Sequence, residues 1–96
     1  MIKEQAEQVE REAKKIISED KSSYMRVFSL DSVDVEHVLK DLAEFCRAHE
    51  STFHQDPRVA ANLDGRRETW LHIQKYLNLD VEEIYRLHSI KLRGRS

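Results

Sequence analysis

Cys46, His49 and His54 offer side chains that bind zinc, in the spacing Cys-x2-His-x4-His. Asp56 follows two residues later and could add a carboxylate. A structural zinc site needs four ligands, and this segment contains one cysteine and no cysteine pair. Cys46 also lies on the apolar face of a predicted helix, where a thiol is more often a small buried side chain than a ligand. We therefore predict no bound metal and no cofactor.

Other residues that could carry out catalysis are better explained as surface charges. Glu82 and Glu83 form a carboxylate pair, but 35% of the chain is charged, so such pairs are ordinary helix acids. A cysteine nucleophile needs a neighbouring base and an accessible position, and no glycine-rich elbow presents Cys46 in this way. We predict that the protein is not an enzyme.

The arginines could instead bind an acidic partner or a phosphate. Arg66 and Arg67 follow Gly65 inside a predicted helix, where glycine costs about 1 kcal/mol relative to alanine unless a neighbour approaches closely. Arg67 is better explained by packing on Trp70 or by pairing with an acid of the preceding helix, whereas both interpretations stay open for Arg66. Residues 91–96 form a basic tail that could contact phosphates, although such tails are usually solvated.

Apolar residues recur at spacings of three and four, which predicts an all-α fold and no strand. Asp56 and Pro57 are a typical N-cap and first helical residue, and they mark the start of the third helix. Asp80 and Glu83 resemble a capping box at the start of the fourth helix. The sequence predicts a small bundle of three helices with a longer, polar, amphipathic helix before it. Trp70 is expected in the core, as is the stripe of the second helix formed by Val35, Val38, Leu39, Leu42, Ala43 and Cys46.

The first helix has a thin apolar stripe in an otherwise charged segment. Its residues 2, 6, 9, 13 and 16 alternate four and three apart, which is the spacing of a coiled-coil seam. A helix this polar gains little from burial on its own domain, so we expect residues 2–17 to form an arm whose apolar surface another chain completes. We expect an arm over residues 1–30, a compact domain over 31–90 and a tail over 91–96. The candidate partner-binding residues are the apolar Ile2, Val9, Ile16 and Ile17 and the basic Arg58, Arg66, Arg93 and Arg95.

Composition excludes several functional classes. The net charge of −2 argues against a protein that wraps nucleic acid with its whole surface. A single cysteine rules out an intramolecular disulfide and suits a reducing compartment. The longest apolar runs are too short to cross a bilayer, and the first 15 residues lack the apolar stretch of a signal peptide. We expect a soluble protein without membrane contact.

Several short motifs occur between residues 41 and 85: Asp-Leu-x-x-Phe-Cys-Arg at 41–47, Asp-Pro-Arg at 56–58, Gly-Arg-Arg-Glu-x-Trp at 65–70, Leu-Asn-Leu at 77–79 and Glu-Ile-Tyr at 83–85. Their joint pattern resembles a small protein family of tailed bacteriophages and prophages. The resemblance covers about residues 38–88 and leaves residues 1–30 outside. It implies an origin among the head-assembly genes, beside portal, scaffold and capsid, and it carries no catalytic residue.

Three functions follow as hypotheses. The first is a non-enzymatic phage accessory protein that contacts a larger phage protein, as a minor virion component or a morphogenesis factor. The second is an inhibitor that binds a bacterial nuclease, polymerase or defence complex, and the third is a nucleic-acid-binding accessory protein. Self-association through the first helix is compatible with each of them. We expect the protein in the cytoplasm of the bacterial host or in the virion.

Overall fold

The computed structural model describes residues 2–28 and 31–93, with side chains through residue 88. Four helices occupy most of these ranges: α1 is Lys3–Val27, α2 is Val33–Phe45, α3 is Pro57–Asn78 and α4 is Val81–Arg93. No strand occurs within these ranges. The predicted all-α fold with a long first helix is therefore confirmed.

Hydrogen bonds between neighbouring residues cap the starts of α3 and α4. The Arg58 backbone N–H donates to Asp56 Oδ1 over 2.8 Å, and Pro57 takes the first helical position. At α4, the Glu83 N–H donates to Asp80 Oδ1 over 2.9 Å, and the Asp80 N–H approaches Glu83 Oε1 at 3.5 Å. Both predicted caps are confirmed. These bonds satisfy amides that a helix start otherwise leaves without partners.

The ends of α2 and α3 differ from each other. Asn78 is the last residue of α3, and its side-chain amide donates to the Gln74 carbonyl over 2.9 Å. The left-handed residue is Arg47, with φ 56°, just after α2; among the described non-glycine residues it is the one with a positive φ. Arg47 turns the chain out of α2 at a position where glycine or asparagine is the usual choice.

The main core lies among α1, α3 and α4. Ile17, Tyr76 and Ile84 are buried against one another, with exposures of 5%, 4% and 0%. The sequence favoured a bundle of α2, α3 and α4, with α1 loosely attached. Instead, α1 makes extensive contact with both α3 and α4, whereas α2 contacts α3 over a smaller area.

The helices α1 and α3 run antiparallel. Lys21 Nζ donates to the Tyr76 carbonyl over 3.0 Å, and one turn further along α1 the Tyr24 ring stacks on Tyr76 at 4.7 Å and meets His72 edge-on at 6.0 Å. Later residues of α1 therefore pack against earlier residues of α3, as expected for antiparallel helices. Burial raises the pKa of the Tyr76 hydroxyl above its ordinary value, with smaller contributions from Asp20 and Tyr24.

Lys14 links α1 to the first turn of α4. Its Nζ lies 2.7 Å from Glu82 Oε1 and 2.9 Å from Glu10 Oε1, and 5.3 Å from the centre of the Tyr85 ring. The hydrogen bonds to Glu82 and Glu10 raise the pKa of Lys14 to about 12. Lys14 is partly exposed and Glu82 is exposed, so solvent screens this ion pair and its contribution to stability is small.

The molecule is thin for its length. Its principal extents are 48 × 38 × 14 Å and its radius of gyration is 16.5 Å. A compact chain of this length has a radius of gyration of about 12 Å. Helices arranged in little more than one layer bury one narrow stripe each, so much of their apolar surface faces outward.

Candidate protein-binding surfaces

An exposed apolar stripe runs along α1. Ile2, Val9, Ile16 and Val27 are 60%, 53%, 59% and 65% exposed. Spacings of 7, 7 and 11 residues place them within about 40° of one line on a helix with 3.6 residues per turn. We call these four residues the α1 seam. Every residue from position 2 to position 9 is exposed, so the first turns of α1 project beyond the core.

Ile17 was expected among the partner-binding residues, but its side chain is buried against Tyr76 and Ile84 within the same chain. Consecutive helical residues point about 100° apart, so Ile16 faces outward while Ile17 faces this core. Ile2, Val9 and Ile16 stay available on the seam, and Val27 joins them. The sequence pattern missed Val27 because Asp20 and Ser23 interrupt the apolar repeat before it.

An apolar depression lies at the C-terminal end of the seam. It has a volume of about 430 Å³ and lies between the last turns of α1 and the middle of α3. We call it the α1–α3 hollow. Its lining residues are Ser23, Tyr24, Val27, Phe28, Thr69, His72 and Ile73. Val27 belongs to both features, so the seam leads directly into the hollow.

Small residues border the hollow on α3. Ala61, Gly65 and Thr69 are four residues apart and all exposed, so they form one stripe along the helix. A methyl group built on Gly65 would meet no described atom within 4 Å, and the Thr69 hydroxyl donates to the Gly65 carbonyl over 3.1 Å. The sequence led us to expect a helix packed closely against Gly65, but no helix among the described residues occupies that position.

A second groove separates α2 from α3. It has a volume of about 390 Å³ and is lined in part by Leu39, Ala43 and Trp70, with Lys40 and Arg47 also contributing. Trp70 was expected in the core; it is only partly buried because it forms a wall of this groove. The expected apolar stripe of α2 is also less buried than predicted. Val38 is 51% exposed, and α2 packs chiefly on α3.

The loop after α2 is tied down by two arginines. Arg67 Nη1 donates to the Glu50 carbonyl over 3.2 Å, and Arg47 Nη1 lies 2.7 Å from Glu50 Oε2. Arg67 therefore has a structural role, as preferred from the sequence, although its partner is a loop carbonyl rather than a helix acid. Phe53 follows in the same loop and is 80% exposed.

Arg58 and Arg66 are the candidate basic residues whose side chains the structure describes, and they lie in different surroundings. The Arg66 guanidinium lies 4.4 Å from the centre of the Phe45 ring, which gives it a packing role on α2. Arg58 is exposed in the first turn of α3, about two turns before Arg66. Arg93 ends α4, with its side chain outside the described part, and Arg95 lies outside the described residues.

The structure does not bring Cys46, His49, His54 and Asp56 together as a group that could hold a metal ion. Cys46 is 2% exposed, and His54 Nδ1 accepts the Asp56 N–H over 3.0 Å within the loop. Within residues 2–28 and 31–93, no group of three His, Cys, Asp or Glu side chains could hold a metal ion. None of the described helices is long and apolar enough to cross a bilayer.

The comparison with known proteins identifies a family. No curated protein and no solved structure matches the sequence. The model of the Bbp19-like phage protein family matches residues 24–88, which includes Tyr24 and all of α2 and α3. The match starts earlier than the resemblance seen in the sequence, and it leaves residues 1–23 outside. Since it covers 65 of the 96 residues, the chain belongs to the Bbp19-like phage protein family.

Proposed function

We propose that the protein is a non-enzymatic phage accessory protein that works by contact with a larger phage protein, as a minor virion component or a morphogenesis factor. The family supports the phage origin. The observation that carries the proposal is the thin layer of helices, 14 Å across in its shortest dimension, with large apolar side chains exposed on every helix. Apolar surface left outward on so small a domain marks binding sites for other proteins.

Two features favour binding over catalysis. Cys46, the one thiol in the sequence, is buried just after the end of α2, where a nucleophile would have poor access to a substrate. The α2–α3 groove holds Trp70 beside small apolar side chains, which suits an apolar or aromatic side chain of a partner protein. Lys40 at its edge is exposed and can contact the polar rim of such an interface.

The test is affinity capture of the tagged full-length chain from infected cells, with mass spectrometry of the captured proteins and of purified particles. A head or tail protein captured in stoichiometric amount, or the chain itself in particles, would support the proposal. Capture of a bacterial nuclease, polymerase or defence protein alone would overturn it in favour of a host-directed inhibitor. Retention on DNA that disappears with added salt would favour a nucleic-acid-binding protein.

A matched pair of variants tests the groove. Ala43→Arg places a long side chain in the α2–α3 groove and should abolish capture of the phage protein. Asp41→Arg introduces the same side chain at an exposed position on the other side of α2, outside the groove lining, and should leave capture unchanged. Far-UV circular dichroism shows whether both variants keep the parent's helix content. Equal capture by the two variants would place the contact elsewhere on the molecule.

A further inference from the structure

The α1 seam and the α1–α3 hollow form one continuous apolar surface with two different ends. At one end, residues 2–9 project as an exposed helical arm that carries Ile2 and Val9. At the other end, Val27 and Phe28 open into the apolar hollow against α3. The two ends are about 37 Å apart at 1.5 Å per residue. The arm is a protruding apolar ridge and the hollow is a depression, so the ends complement each other in shape.

One chain cannot bring its own two ends together, because a continuous helix separates them. A second copy can do so. If two α1 helices lie side by side and antiparallel, residue 2 of each copy falls near residue 27 of the other. Both arms then meet both hollows in one symmetric contact, which is the closed arrangement that two-fold dimers use. A parallel pair would place arm beside arm and leave both hollows open.

We infer that two copies of this chain pair through antiparallel α1 seams, with the Ile2–Val9 arm of each copy covering the α1–α3 hollow of the other. The inference extends the proposed function without depending on it, since it concerns a complex of the chain with itself. The seam's spacing of seven residues suits helix pairing, and the alanines at 6 and 13 on its flank allow two helices to approach closely.

The accessible surface is large enough for such a dimer. The chain exposes 7684 Å². A compact monomer of 11.4 kDa exposes about 5,800 Å², so the excess is about 1,900 Å². A standard interface removes about 800 Å² from each partner, and obligate homodimers remove more. Burying the seam, the arm and the hollow would therefore bring the exposed surface per chain toward the value for a compact protein.

Gly65 supplies an independent observation beside the hollow. Glycine is a poor residue for a helix interior, and no described atom lies where a methyl group at Gly65 would point. Ala61, Gly65 and Thr69 continue along α3 past the point where α1 ends, opposite Thr69. With residue 2 of the second copy near Val27, the tip of its arm reaches the Thr69 end of this small-residue stripe. Small residues at this end allow the tip to approach the α3 backbone closely.

The oligomeric state tests the pairing. Sedimentation velocity of the full-length chain over a range of concentrations should show a dimer. The double variant Val9→Gln and Ile16→Gln should raise the dimer dissociation constant by about a hundredfold or more, because two apolar side chains lose their burial. Met25→Gln is the matched control: Met25 is 50% exposed on the side of α1 away from the seam, and its variant should dimerise as the parent does.

Far-UV circular dichroism confirms that each variant keeps its helices. A parent chain that stays monomeric overturns the inference, as does a dimer that the double variant and the Met25 variant weaken equally. A monomeric parent that still captures a phage protein from infected cells would overturn the self-pairing alone and leave the proposed function in place.

A spin label tests the antiparallel arrangement. In a chain carrying Cys46→Ala, which removes the native thiol, Glu4→Cys places one label in the first turn of α1 and away from the seam. Antiparallel pairing predicts a label-to-label distance of about 30 Å or more, whereas parallel pairing predicts less than about 20 Å. The shorter distance would overturn the arm-in-hollow contact even if the chain is a dimer.

Discussion

Replacing Ile17 by alanine tests whether α1 belongs to the core. The change removes three carbon atoms from a side chain that is 5% exposed and packs on Tyr76 and Ile84. At about 0.8 kcal/mol per buried methylene, the transfer contribution is about 2.4 kcal/mol. The cavity left against the fully buried Ile84 adds to this cost, while the higher helix propensity of alanine returns about 0.5 kcal/mol. We expect the free energy of unfolding to fall by about 3 kcal/mol.

The assay is urea unfolding followed by circular dichroism, with a thermal melt in parallel. For a domain of this size, about 3 kcal/mol corresponds to a melting temperature roughly 12–24 °C lower. Leu71→Ala is the control, because Leu71 is 55% exposed on α3 and its truncation should change stability by less than about 0.5 kcal/mol. If Ile17→Ala were as mild as Leu71→Ala, the packing of α1 on α3 and α4 would be refuted and α1 would be a dispensable arm.

Three further predictions concern the helix ends and α3. Asp56→Ala should lower the free energy of unfolding by about 1 kcal/mol, because the Arg58 N–H loses its acceptor; an unchanged urea midpoint would contradict this. Gly65→Ala should raise the stability of the monomer by about 0.5–1 kcal/mol, since the methyl group meets open space, and a lower urea midpoint in dilute solution would reveal an unseen neighbour. The hydrogen bond that the Glu83 backbone N–H donates to the Asp80 carboxylate lowers the pKa of Asp80 below its ordinary 3.8, against a smaller opposing effect of desolvation. The stabilisation from ionised Asp80 is therefore present above pH 3.8 and is lost as the pH falls through the lowered pKa, so the urea midpoints of the parent and Asp80→Ala should differ at neutral pH and converge in acid.

The sequence predicted the features of the fold that depend on neighbouring residues. The caps at Asp56 and Asp80 are local hydrogen bonds, and a few residue types in a fixed order determine them. The helical periodicity was equally local, so the four helices were expected. The phage family was also indicated by local motifs, and the family match confirms it. Absence of a metal and of enzymatic activity stays a prediction.

The spacing of apolar residues does not determine which side of each helix a neighbouring helix covers. Ile16 and Ile17 both fit an apolar stripe, and nothing local distinguishes the one that α4 covers from the one left exposed. Trp70 has the spacing of a core residue, but α2 contacts α3 over too small an area to cover it. Arg47 in the left-handed conformation was also missed, since arginine gives no signal for that backbone region.

The family boundary separates the two halves of the inferred pairing surface. The residues that line the hollow lie between positions 23 and 73, and all of them except Ser23 fall inside the matched range of 24–88. Residues 2–23 of α1 lie outside this range. The depression is thus part of the matched fold, and the arm that would fill it comes from the segment the family model does not cover. The arm also has little to hold it on its own chain, because every residue from 2 to 9 is exposed. Its apolar residues gain burial only from another protein surface, and the hollow of an identical chain is present at equal concentration wherever the protein is made. The inferred self-pairing requires no second kind of protein, and it leaves the α2–α3 groove open to the proposed larger phage partner.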